Sequence, residues 1–367
     1  MSTTQREDSI WNKEFKLAQR VLTEYYDFKD TKSIEIVISY EEKEFAKTLM
    51  ELFIAKGIRN VFITYTNGII CEEINKGFRK YLDDRISFYK ERISEGFIRI
   101  TILSPFPLPV VITRELEGYL KHLDELNFLQ EYLIHSPRIM IVKPNLYWAS
   151  RLGISLNELW DKVEALYDSD SLDIYKDKLD ELKIEELHFV SDEGTNCRFK
   201  MTKNFKFTGK RIEYNGKTYQ ANAPSREIFT APSKYSGNGK IVCTKPLCYH
   251  GKIYKDMELE LLNGKVINSK NLDEILSLDE SLFYIGEVAL APYQDGYFLS
   301  TIIDENIGCH IALGNSYPYG IEELDKINKS KYHIDLVFGS LSLKVYAKIK
   351  NQEDEILIFK DGVICIP

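Results

Sequence analysis

The feature that most constrains this chain is a change of texture near its middle. In the first half, stretches of helical period alternate with short runs of β-branched and aromatic residues. Residues 11–28 place Phe15, Ala18, Val21, Leu22 and Tyr25 on one helical face, and 33–40 (SIEIVISY) follow as an isoleucine-rich strand. Helical spacing returns over 42–56 and stops at Gly57. Strands are predicted at 61–65, 97–103 and 138–142, and long helices at 71–92 and 123–134, while three prolines fix 104–109 as an extended loop. Strand–helix–strand order with short connections predicts an α/β domain with a mostly parallel sheet.

The second half reads differently. Short strand-like runs at 187–190, 239–246, 257–262 and 343–348 are punctuated by turn pairs such as Asn215-Gly216 and Asn263-Gly264, which favour hairpins. Between the two textures, 153–183 is charged and helical, with Trp160 on its apolar face. The boundary therefore falls near residue 185. It divides a 1–185 α/β scaffold or lid domain from a 186–367 α+β domain.

Composition removes several classes of function. The chain has 367 residues and a formal net charge of -8, with no basic block, so nucleic acid is not an expected partner. No run approaches the roughly 20 apolar residues that span a bilayer, and the N-terminus lacks the apolar core of a signal peptide. The six cysteines are scattered, with no Cys-x-x-Cys pair. Free thiols and a cytoplasmic setting follow as the expectation. Ser236-Gly237-Asn238-Gly239-Lys240 fails the phosphate-loop pattern, because Lys234 occupies its first glycine position and Ile241 follows the lysine. No dinucleotide fingerprint accompanies the early strands.

The residues that suggest chemistry lie in the second half. His333-Ile334-Asp335 puts an imidazole and a carboxylate on one face of a strand, since alternate residues point the same way. Such a pair suits a borderline divalent ion such as zinc, cobalt or manganese, and equally a surface ion pair. His310 follows Asp304-Glu305-Asn306-Ile307-Gly308-Cys309. Glu287 stands alone in the apolar run Gly286-Glu287-Val288-Ala289-Leu290-Ala291. A buried carboxylate there needs a partner, and either a metal or a lysine would serve. Cys309 and His310 are neighbours on a strand and point to opposite faces, which argues against a thiol–imidazole pair.

Four ordered segments, NAPSREIFTAP (222–232), GEVALAPY (286–293), DENIGCHIALGNSYP (304–318) and HIDLVFGS (333–340), resemble the metalloaminopeptidase family of thermophilic aminopeptidase T and staphylococcal aminopeptidase S. The resemblance implies a C-terminal metal-binding catalytic domain with two divalent metal ions. It implies ligands Glu227, Glu287, His310, His333 and Asp335, with Glu287 bridging, and further active-site positions at Glu305 and Tyr317. Removal of the N-terminal residue of peptides with a free N-terminus, and a homodimer, are implied in the same way. Arg226 departs from the small or acidic residue usual before the first glutamate. A binding or assembly protein that keeps this fold without catalysis is the competing expectation.

Overall fold

The computed structural model describes residues 3–65, 87, 90–91, 97–103, 137–167, 172–214, 216–249 and 252–366. The helices expected over 71–92 and 123–134 lie almost entirely outside these residues, and the proline loop at 104–109 lies wholly outside them. Two compact units emerge: Met1–Tyr167 with Glu213–Pro224, and Asp168–Ile212 with Ser225–Pro367.

The first unit is built on a parallel sheet. Among the described residues its strand order is Asn60–Tyr65, Ser33–Ile38, Phe97–Leu103, Arg138–Val142 and Asn222–Ala223, and every neighbouring pair is parallel. Ser33–Ile38 is buried at all its positions, as a strand covered on both faces must be. That is why it reads as an unbroken isoleucine–valine run and not as an alternation. Helix Thr3–Thr23 buries Leu17, Ala18, Val21 and Leu22. It ends before Phe28 because Tyr26 forms a β-bridge with Tyr219 and so leaves the helical backbone. Lys143, after the fourth strand, is buried and ion-paired with Glu14 at 2.6 Å and Glu42 at 2.5 Å. The Tyr167 hydroxyl, at the end of helix Leu156–Tyr167, lies 2.7 Å from the Val142 carbonyl and 2.9 Å from that of Ala223.

The second unit is mostly antiparallel. Its larger sheet runs in the order Lys265–Lys270, Glu258–Leu262, Asn238–Val242, Asn196–Lys200, Ile184–Val190, Lys344–Ile349, Glu355–Lys360 and Val363–Ile364. Asn263 and Gly264 form the tight turn between two of these strands, with φ of 50° and 77°. Positive φ at both positions is what a type I′ hairpin requires. A Cβ on Gly264 would fall 1.9 Å from the Lys234 carbonyl oxygen, so the position admits only glycine. The strand expected over 239–246 stops at Val242. Beyond it the Thr244 amide turns to donate to the Val337 carbonyl, and Pro246 has no amide to extend a ladder. Phe189 sits at the centre of the core, edge-on to Phe199 at 6.1 Å and to Phe338 at 5.4 Å.

A four-stranded sheet of this unit matters most for function. Its four strands, Ile228–Thr230, Ile285–Leu290, His310–Gly314 and His333–Val337, are antiparallel throughout. One face presents Ile228, Val288, Leu290, Ile311, Leu313, Ile334 and Leu336 to the core. Because alternate residues face opposite ways, the other face carries the remaining positions in rows across the sheet. Phe229, Ala289, His310 and Val337 form one row, and Glu287, Ala312 and Asp335 the next. His333 stands opposite Gly314. Among the described residues no helix is long and apolar enough to cross a membrane.

Leu336 is fully buried between Ile334 and Phe338 in sequence, on the face opposite Asp335. Replacing it with alanine leaves a cavity under the sheet, and losses of about 2–5 kcal/mol accompany such truncations. Leu336→Ala should therefore lower the unfolding free energy by that order, seen as a lower denaturant midpoint at unchanged slope. An unchanged midpoint would contradict this packing.

Candidate metal centre

Three strands and the residue leading into a fourth bring the candidate ligands together. Glu287 comes from Ile285–Leu290, His310 from His310–Gly314, and His333 with Asp335 from His333–Val337. Glu227 immediately precedes the edge strand Ile228–Thr230. Only alanines, Ala289 and Ala312, separate the functional side chains within their rows. Ala312 lies directly between Glu287 and Asp335, and its single methyl lets the longer carboxylates converge above it.

Two overlapping groups have the makings of a cation site: Glu227, Glu287 and His310, and Glu287, His333 and Asp335. Within each group one ligand atom per residue lies within 4.8 Å of the others. His310 Nε2 is 3.1 Å from Glu227 Oε2 and 3.4 Å from Glu287 Oε1. His333 Nε2 is 3.2 Å from Asp335 Oδ1 and 3.8 Å from Glu287 Oε2. Glu287 thus turns one oxygen toward each imidazole.

The imidazoles are held by their other nitrogens. His310 Nδ1 is 3.2 Å from the Gly308 carbonyl, and His333 Nδ1 is 2.8 Å from that of Asn315. A carbonyl oxygen only accepts, so each Nδ1 carries a proton, and each Nε2 faces the centre, where loss of its own proton would leave a lone pair for a cation. The fit to a cation has independent support. Glu227 Oε2, His310 Nε2 and Asp335 Oδ1 are buried and make no hydrogen bond, although carboxylate and imidazole lie side by side. Buried polar atoms left this way are costly, and converging oxygen and imidazole lone pairs suit a borderline divalent ion.

The electrostatics follow from crowding carboxylates in a buried place. Burial, with the charges of Glu227 and Asp335, pushes the Glu305 carboxyl well above the usual carboxylate range. Burial also raises Glu287, against the His310 and His333 rings. Asp335 is pulled down despite its burial, because the His333 ring stands beside it, and it shares a hydrogen bond with Glu305. For His310, burial opposes the charged ring, yet Glu227 and Glu287 outweigh it and raise its pKa well above the ordinary histidine value. His333 is raised too, by Tyr317 and Asp335 against the same penalty.

Glu305 and Tyr317 border this cluster. Glu305 is buried in the helical turn Glu305–Ile307. The Tyr317 ring is 4.6 Å from that of His333. Sequence reasoning passed over the groups that hold the ligands in place. Asn306, fully buried, donates through Nδ2 to the Ile302 carbonyl at 2.6 Å and accepts from the Arg226 amide, which ties the segment before Glu227 to the one containing Glu305. Arg226 itself is half-buried, and burial lowers its pKa. Asp304 accepts from the Phe298 and Ser300 amides at 2.6 and 2.9 Å, and burial pushes it up to about 7. The one sequence signal for these roles was the position of Asn306 inside the motif that ends in His310.

Residues 157–363 match the sequence profile of the family described as thermophilic metalloprotease (M29). Aminopeptidase AmpS of Bacillus subtilis is 26% identical over 359 residues, spanning 84% of this chain and 87% of that protein. Aminopeptidase 2 of Geobacillus stearothermophilus is 34% identical over 176 residues, 42% of each chain. The structure of wild-type AmpT from Thermus thermophilus has the same fold, with a TM-score of 0.81 at 18% identity, covering 97% of this chain and 100% of that one.

With both imidazoles holding protons above the ordinary histidine pKa, a cation must displace protons to bind. Metal affinity should therefore rise with pH through neutrality, and uptake at pH 7 should release protons. Titrating zinc into metal-free protein by calorimetry, in buffers of differing ionisation enthalpy, measures this. Binding with no proton released, and with an affinity independent of pH, would contradict the electrostatic account.

Proposed function

We infer the function from one premise: the chain belongs to the thermophilic metalloprotease family M29. It is a metal-dependent aminopeptidase, a hydrolase that acts on peptides. The observation that carries this reading is the shared carboxylate of Glu287, which turns one oxygen toward His310 and the other toward His333 between two cation-sized groups. Two divalent ions, zinc, cobalt or manganese, would fit that arrangement: Glu227, Glu287 and His310 would hold one, and Glu287, His333 and Asp335 the other.

When bound, such ions supply Lewis acidity toward the scissile carbonyl and lower the pKa of water toward neutrality. The chain's own residues do the rest. The Gly308 and Asn315 carbonyls fix the tautomer and aim of the two imidazoles. A free α-amine in its neutral form would have a lone pair to offer such an ion, which an acylated N-terminus lacks. Glu305, buried beside the ligands, is the candidate proton carrier: as the carboxylate it takes a proton from the attacking water, and as the acid so formed it delivers that proton to the leaving amine nitrogen. Tyr317, packed on His333, steadies that ring and orients the peptide carbonyl. A cytoplasmic setting agrees with the free state of Cys197, Cys243, Cys248, Cys309 and Cys365. The homodimer implied by the family resemblance belongs to the same reading.

Two variants separate ligation from proton transfer. Glu287→Gln should reduce bound metal and abolish turnover while the protein stays folded. Near wild-type activity with a full metal complement would remove Glu287 from the mechanism. Glu305→Gln should retain metal and lose about 10²–10⁴-fold in kcat, the usual worth of a positioned acid–base group. An unchanged kcat would end its role as proton carrier.

A further inference from the structure

Three aromatic rings cluster at the edge of the candidate centre. Tyr317 packs on His333, the Phe229 ring meets it edge-on at 6.4 Å, and Tyr319 stacks on it at 5.6 Å with an interplanar angle of 12°. Phe229 lies on the ligand-bearing face of the four-stranded sheet, in the same row as Ala289 and His310. Ala289, directly between Phe229 and His310, adds no bulk to that row. The core aromatics of this unit, Phe189, Phe199 and Phe338, are less than 2% exposed. Phe229, Tyr317 and Tyr319 are only half-buried. Packing alone would have closed such a cluster, since large apolar rings gain most when fully buried. Here the rings keep accessible surface beside the ligands.

We propose that Phe229, Tyr317 and Tyr319 form the wall that receives the side chain of the substrate's N-terminal residue, with Phe229 as the specificity-determining residue that selects bulky apolar or aromatic side chains over small ones. The proposal rests on the aminopeptidase reading, in which the N-terminal residue is held at the centre itself. A side chain leaving the α-carbon next to the scissile carbonyl lies within a few ångströms of the ligand imidazoles, and the ring nearest to one of them is Tyr317. Phe229 and Tyr319 extend that surface on either side. An aromatic wall discriminates by the apolar area it covers, and each methylene in such a pocket is worth roughly 10- to 200-fold in kcat/KM.

The test compares kcat/KM for phenylalanine amide and alanine amide, both with free amines, using metal-loaded wild type, Phe229→Ala, Phe229→Leu and Tyr319→Ala. The ratio of the two substrates within one preparation is independent of how much of the protein is folded. Wild type should prefer the phenylalanine substrate by roughly tenfold or more. That preference should collapse in Phe229→Ala, fall in Tyr319→Ala, and survive in part in Phe229→Leu, which keeps apolar bulk. Equal use of the two amides by wild type, or a preference intact in both alanine variants, overturns the proposal and leaves the aminopeptidase reading standing. Failure of the metal-loaded wild type to cleave either amide removes that reading and the proposal with it.

Discussion

Four carboxylates, Glu227, Glu287, Glu305 and Asp335, are buried together on one side of a four-stranded sheet, and this crowding of like charge sets the terms for everything around it. Carboxylates held in a low-dielectric interior must protonate, pair or bind a cation. The groups themselves answer partly by the first two routes, with burial raising Glu305 and the neighbouring carboxylates raising the His310 and His333 rings. Divalent ions would answer more completely, because they would also engage the buried atoms that make no hydrogen bond. Side chains crowded in this way require a rigid frame. The frame is the opposite face of the same sheet, where Val288, Leu290, Ile311, Leu313, Ile334 and Leu336 are locked into the core.

That two-faced sheet explains why part of the candidate cluster was legible in the sequence. His333 and Asp335 stand two residues apart on one strand, so their shared face follows from the pleat alone. Glu287 betrays itself as the single acid in an otherwise apolar strand. The parallel sheet of the first unit was legible for a related reason: doubly covered strands such as Ser33–Ile38 have no polar alternation to confuse with an exposed edge.

What stayed hidden depends on register and on backbone. No spacing rule reveals that Glu287, Ala312 and Asp335 fall in one row, because the pairing of distant strands decides it. The Gly308 and Asn315 carbonyls that orient the imidazoles are main-chain atoms, which any residue could supply. Asn306 and Phe229 are ordinary residue types whose roles come only from where the fold puts them. Element ends were misjudged where a tertiary contact overrode local pattern, as at Tyr26, drawn out of helix by Tyr219, and at Val242, after which the chain pairs with Val337. All seven candidate site residues nevertheless belong to one compact unit, so the geometry of the centre is set within a single folding core.

We infer that this buried cluster holds two divalent ions and uses them on peptides with a free N-terminus. The decisive measurement is elemental analysis of protein purified without chelators, joined to an assay on matched free and N-acetylated peptides before and after removal of metal. The account predicts about two ions per chain, cleavage of the free peptides only, loss of that activity on chelation and its return on adding zinc, cobalt or manganese. Protein that takes up no metal, or that cleaves equally well without it, would contradict the account.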